Sequence, residues 1–246
     1  MWEQFSRKVE LLRNLDRQFQ VFGAEYHQYA FNPKVSESRI GEIEKSSDII
    51  LPEQLKNYYL TLGNGKAGIN FGVVKLEDLL GFRALEDYTE VETLKKFRRD
   101  TPDEDDYFEV DHKYLTGLIR IEEEGCGHLT CVISKGERVG EIVHVSNDGY
   151  VFETRKTMIE YYEAKYASHL AIFEALKKLM NSAKSYQQIE REMIEKFDFY
   201  STGDYISSIA NIEKPASIFG TKFNKIYYGK TQNPWYEKVL NEWRNK

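Results

Sequence analysis

Residues 51–65 read LPEQLKNYYLTLGNG. Pro52 suits the first position of a helix, where its missing N–H breaks no hydrogen bond. Leu55, Tyr58, Tyr59 and Leu62 then recur at i, i+3, i+4 and i+7 and make one apolar face. Gly63 and Gly65 allow the left-handed conformations that end a helix and turn the chain. The stretch therefore predicts a short helix with a fixed start and stop, its tyrosines anchored to a sheet.

Working outward, residues 2–22 predict an amphipathic helix, with Trp2, Phe5, Val9, Leu12, Leu15, Phe19 and Phe22 at three- and four-residue steps and Gly23 as the stop. A second helix is expected after Ser36, with Ile40 and Ile43 inward and Glu44 near its end. INFGVV (69–74) is rich in β-branched residues and predicts a strand. LEDLLG (76–81) predicts a turn of helix or a loop. Residues 84–113 are polar and hold the dense acidic run Asp103, Glu104, Asp105, Asp106, expected as a surface excursion. YLTGLIRI (114–121), HLTCVIS (128–134), VGEIVHV (139–145) and GYVFE (149–153) are strand-like runs joined by short polar turns, which favours an antiparallel meander.

A long helical pattern follows through Met158, Tyr161, Tyr162, Tyr166, Leu170, Phe173 and Leu176. Ser185 and Gln188 stand in capping-box spacing at the head of another helix. A short helical run around YISSIANI and an irregular or strand-like KPASIFGTKFNKIYYGK come next. The last helix would have Asn233 as its cap and Pro234 in its first turn. Helices, then consecutive strands, then helices argue for an α+β fold: helices on a mainly antiparallel sheet, with a C-terminal helical or irregular extension. The expected division is an N-terminal helical segment (1–35), an α+β domain (36–181), and an extension (182–246) packing on the body or on a second protomer.

The chain of 246 residues carries a formal net charge of −6, unevenly spread. From Leu170 onward, 12 Lys and Arg face 9 Asp and Glu; this leaves 22 against 31 for residues 1–169, a balance of −9. An acidic body disfavours direct nucleic-acid binding and suits a basic protein partner. No apolar run reaches membrane-spanning length, and the charged N-terminus lacks a signal-peptide core, so a cytoplasmic protein is expected. Two cysteines do not make a disulfide framework.

Candidate chemistry is sparse. GNGKAG (63–68) lies between a helix and a strand and lacks the P-loop's G-x-x-x-x-G-K-[ST], so turn formation is its expected role. Cys126, His128 and Cys131 do not have zinc-site spacing; buried small side chains are expected for the cysteines. No local catalytic signature occurs, and no enzyme, cofactor or metal is expected; an enzyme would have to use Cys126 with His128. The partner-binding candidates are the acidic clusters Asp103, Glu104, Asp105, Asp106 and Glu122, Glu123, Glu124.

IGEIEKSSDIILPEQLKNYYLTLGNG (40–65) resembles the opening signature of the SUKH superfamily, named in part for a yeast cell-wall-synthesis regulator. Leu51, Pro52, Tyr58, Leu60, Asn64 and Gly65 match as they stand. GCGHLTCVIS (125–134), with Gly125 and Gly127, resembles the family's Gly-rich turn into a hydrophobic strand, although Cys126 stands where an acidic residue is usual. GEIVHVSND (140–148), opening at Gly140, resembles its Gly-x-[Ile/Val] strand. The resemblance spans roughly residues 36–170. It implies an α+β domain and a bacterial immunity protein that binds and neutralises a toxin domain, often a nuclease, by stoichiometric contact. The alternative is a regulatory scaffold that binds a host-cell protein through the aromatic C-terminal extension.

Overall fold

The computed structural model describes residues 2–82, 84–88, 115–146, 151–199, 201–213 and 234–245. Four helices open the chain: α1 (Glu3–Leu15), α2 (Ala24–His27), α3 (Glu37–Ser47) and α4 (Glu53–Thr61). A short 3₁₀ turn (Leu76–Asp78) leads into β1 (Leu80–Phe82), followed by β2 (Leu118–Gly125), β3 (His128–Ile133), β4 (Glu141–Val145) and β5 (Val151–Thr157). The strands form one sheet in the order β1-β2-β3-β4-β5, every neighbouring pair antiparallel. The chain closes with α5 (Met158–Met180), α6 (Tyr186–Phe197), α7 (Thr202–Ala210) and α8 (Pro234–Arg244). This is the α+β meander expected, with β1 as a strand the sequence pattern did not announce.

Two compact units make up the chain: residues 1–9 with 22–165, and residues 10–21 with 166–246. In the first, Phe82, Leu115, Leu118, Cys131, Ile133, Val143 and Val145 pack as a core on the sheet. A second nest joins Trp2 to Phe5, Tyr58 and Tyr162 by edge-on ring contacts at 5.4–6.3 Å, the geometry that aromatic quadrupoles favour. Tyr58, Tyr59, Tyr161 and Tyr162 are all buried.

Each landmark of the 40–65 stretch has a physical task. The Glu44 carboxylate accepts the Leu51 N–H at 2.7 Å and pairs with Lys56 at 2.9 Å, bracketing the turn into α4. Pro52 is the N-cap, one position earlier than expected. The Tyr58 hydroxyl donates to the carbonyls of Lys66 (3.2 Å) and Ala67 (3.0 Å), and Tyr59 donates to Val74 (3.0 Å). The tyrosines thus anchor α4 to the 66–74 loop and not to the sheet. Asn64 accepts the Leu76 N–H on its side-chain oxygen (2.8 Å) and donates to Glu77 (2.9 Å). Gly65 has φ +79°, and a Cβ there would come within 2.5 Å of the Val74 carbonyl oxygen, so only glycine fits.

Two expected elements are corrected. The first helix stops at Leu15 and does not run to Phe22. The buried Asp16 carboxylate accepts the N–H groups of Gln20 (2.7 Å) and Val21 (2.9 Å), folding the chain into a turn that propensity alone does not encode. INFGVV is a folded-back loop, not a strand of the sheet. Asn70 and Gly72 take positive φ, Gly72 N–H returns to Ile69 O at 2.9 Å, and Val73 pairs with Lys66 in an isolated bridge.

In the second unit α7 is buried along its whole length. Gly203 lies under the Tyr236 ring, where a Cβ would meet ring carbons at 2.4 Å, and the Tyr236 hydroxyl donates to Asp204 at 3.1 Å. The Ser208 hydroxyl donates to Asp16 at 2.7 Å and accepts the Gln18 N–H at 2.9 Å. The capping box at Ser185 and Gln188 is formed as expected. Ser185→Ala should cost about 1 kcal/mol and lower the second unit's thermal midpoint by roughly 4–8 °C; an unchanged midpoint by circular dichroism would deny the cap that weight. The Asn233 cap and the whole of KPASIFGTKFNKIYYGK (214–230) fall outside the described residues.

Candidate interaction surface

The β2–β3 hairpin closes at Gly125-Cys126-Gly127, all three with positive φ. Gly125 faces the 66–74 loop: a Cβ there would stand 3.3 Å from the Phe71 ring. A second glycine brings in the other rings. Gly23 (φ +77°) is pressed on the loop so closely that a Cβ would lie 1.6 Å from Asn70 O. That approach sets Phe22 and Tyr26, on either side of the Gly23 turn, against Phe71. The Phe22 and Phe71 ring centroids are 5.6 Å apart, and those of Tyr26 and Phe71 are 4.5 Å apart. Phe22 is 62% exposed and Tyr26 59%. Large rings clustered in water mark an interaction surface more often than isolated exposed residues do.

The loop under this cluster is tied to the strand by Glu122. Its Oε1 accepts the Tyr162 hydroxyl at 2.6 Å and the Ile69 N–H at 2.9 Å. A Cβ on Gly68 would sit 2.0 Å from that oxygen. Glu122 is 0% exposed, and its buried Oε2 has no hydrogen-bond partner among the described residues. Burial pushes the carboxyl up to about 8, against the opposing hydrogen bonds from Tyr162 and Ile69. It is therefore held as a neutral acid at neutral pH.

The sequence grouped Glu122, Glu123 and Glu124 as one acidic surface; the strand separates them. Glu122 points into the core. Glu123 is exposed and pairs with Arg120 at 2.7 Å. Glu124 is half-buried, accepts the Thr130 hydroxyl at 2.6 Å and is hydrogen-bonded to Nδ1 of His144. Burial pushes the Glu124 carboxyl up, but those two bonds outweigh it and hold the group below the ordinary carboxylate range. Asp103, Glu104, Asp105 and Asp106 lie outside the described residues. Of the two cysteines, Cys131 is buried and its thiol is pushed well up by burial, whereas Cys126 is exposed at the hairpin tip, contrary to expectation. The tip is a turn with Cys126 at φ +52°, so strand alternation does not apply to it. Among the described residues no three His, Cys, Asp or Glu side chains gather as a metal-ligand set, and no helix is long and apolar enough to cross a membrane.

The 34–164 stretch, which holds the meander, the 66–74 loop and the buried Glu122, matches the family model described as SMI1 / KNR4 family (SUKH-1). The chain belongs to the SUKH-1 family. Comparison with curated proteins and with solved structures returned no match. The SUKH-1 region supplies Phe71, Glu122 and the hairpin, while Phe22 and Tyr26 come from the chain before it. Sequence reasoning missed the aromatic trio because Phe22 was absorbed into a helical stripe and Phe71 into a strand. The signal that could have found it is the pair of Gly-containing turns, FGAEY (22–26) and NFG (70–72).

Proposed function

We propose that this SUKH-1 protein is a cytoplasmic, non-enzymatic immunity protein that binds a toxin domain one-to-one and so neutralises it. The observation that carries the proposal is the cluster in which the exposed Phe22 and Tyr26 rings meet the half-buried Phe71, on a loop tied to the strand by Glu122. Family membership supports it, because the SUKH resemblance implies a protein that acts by binding another protein. The acidic balance of residues 1–169 favours a basic toxin and would mainly raise the rate and selectivity of association.

The test joins capture to rescue. Tagged full-length protein is used to capture polypeptides from native lysate at low and raised salt, with identification by mass spectrometry. The expected catch is one basic domain in equal amount, weakened by salt. Expression of that domain alone should arrest growth, and co-expression with the full chain should restore it. A harmless captured domain, or a toxic one against which the chain gives no protection, would overturn the immunity proposal. Ordinary host proteins in the catch would favour the scaffold alternative.

A further inference from the structure

Phe71 joins Phe22 to Tyr26, and its position is fixed from inside. Two residues before it, Ile69 is hydrogen-bonded to Glu122, and Gly68 leaves no space between loop and carboxyl. Gly125, on the same strand as Glu122, supports the ring from below. Aromatic faces are electron-rich, and a cation over them is attracted most strongly where water is partly excluded. Glu25 adjoins Tyr26, is exposed and makes no ion pair among the described residues. Electron-rich rings on a chain whose residues 1–169 carry a balance of −9, with the exposed Glu25 on the same short helix as Tyr26, complement a positive charge on an apolar stem. Guanidinium suits this best, since it is planar, stacks on rings and is weakly hydrated.

We propose that the Phe22–Tyr26–Phe71 cluster seats an arginine side chain presented by a basic protein face, with Glu122 as the positioning residue that holds Phe71 for it. This rests on the protein-binding function proposed above and names the chemistry of the partner at that surface.

The test uses the ¹⁵N-labelled full chain and two capped peptides, Gly-Arg-Leu-Arg-Gly and the same peptide with citrulline for arginine. The amides of Gly125, Cys126 and Gly127 report on the cluster. The arginine peptide should shift them with a Kd on the order of 1 mM; the neutral citrulline peptide should bind at least about fivefold more weakly. Phe22→Ala with Tyr26→Ala should abolish the shifts without unfolding the chain, as both side chains are exposed. Glu122→Ala should weaken binding and Glu122→Gln restore it, a rescue that general destabilisation would not give. Should Glu122→Ala fail to fold, the double variant still decides the surface. Equal shifts with citrulline, undiminished binding by the double variant, or no shift at about 10 mM peptide overturns the proposal. Concentration-dependent shifts without peptide would assign the surface to a second copy and overturn it too. A captured toxin held equally well by the double variant would remove this surface but leave the immunity function standing. Arginine binding in a chain that rescues no growth would do the reverse.

Discussion

Glutamine in place of Glu122 is expected to change how stability depends on pH more than any other single substitution. Folding raises this carboxyl from the ordinary 4.5 to about 8, burial being the largest cause. Its stabilising contribution is full below about pH 4.5 and is lost as pH rises through about 8, because across that window the unfolded chain releases the proton while the folded chain keeps it. At about 1.4 kcal/mol per pH unit, the window corresponds to roughly 5 kcal/mol between its ends. Glutamine preserves an acceptor for Tyr162 and Ile69 and cannot ionise. The variant should therefore match the native protein within about 1 kcal/mol near pH 5 and exceed it by several kcal/mol near pH 9. Denaturant midpoints of the first unit's transition at both pH values check this. A stability difference that stays constant with pH would show that Glu122 does not fold as a neutral acid.

Gly68→Ala is the second large effect. Its Cβ would lie 2.0 Å from Glu122 Oε1 and 2.8 Å from Val73 N. The carboxyl must swing away and lose the Ile69 and Tyr162 hydrogen bonds, or the backbone must move. Overpacking and a newly unsatisfied buried group together cost about 3 kcal/mol, or roughly 10 °C in thermal midpoint. A double-mutant cycle with Glu122→Ala isolates the cause: alanine at position 68 should be much less costly once the carboxyl is gone. Equal costs in both backgrounds would place the strain at Val73 instead.

What the sequence made legible follows from how local each determinant is. The helix at 53–61, the capping box at Ser185 and the meander were readable because period and cap chemistry operate within a few residues. Asp16 was not readable as a helix stop, since its authority comes from carboxylate bonds to Gln20 and Val21 and from Ser208, far along the chain. The loop at 69–74 was misread because β-branched content outweighed one Asn and one Gly whose positive φ breaks the strand. At the candidate surface, acidity pointed to the β2–β3 hairpin, but the strand sends its three glutamates to different surroundings. Glu122 matters there as a buried neutral acid, and the exposed rings belong to separate segments that only tertiary structure brings together.

The Asp16–Ser208 bond has a consequence for biosynthesis. Its two residues are 192 positions apart, and residues 10–21 belong to the unit that residues 166–246 complete. At roughly 5–20 residues per second, a ribosome makes residue 208 some 10–40 s after residue 16. Through that interval the Asp16 carboxylate and the apolar Leu12 and Val21 wait without their native surroundings, while the meander has already been made. The second unit therefore forms last. Its closure around Asp16 waits for the synthesis of residues 166–208, whatever the speed of the local folding steps.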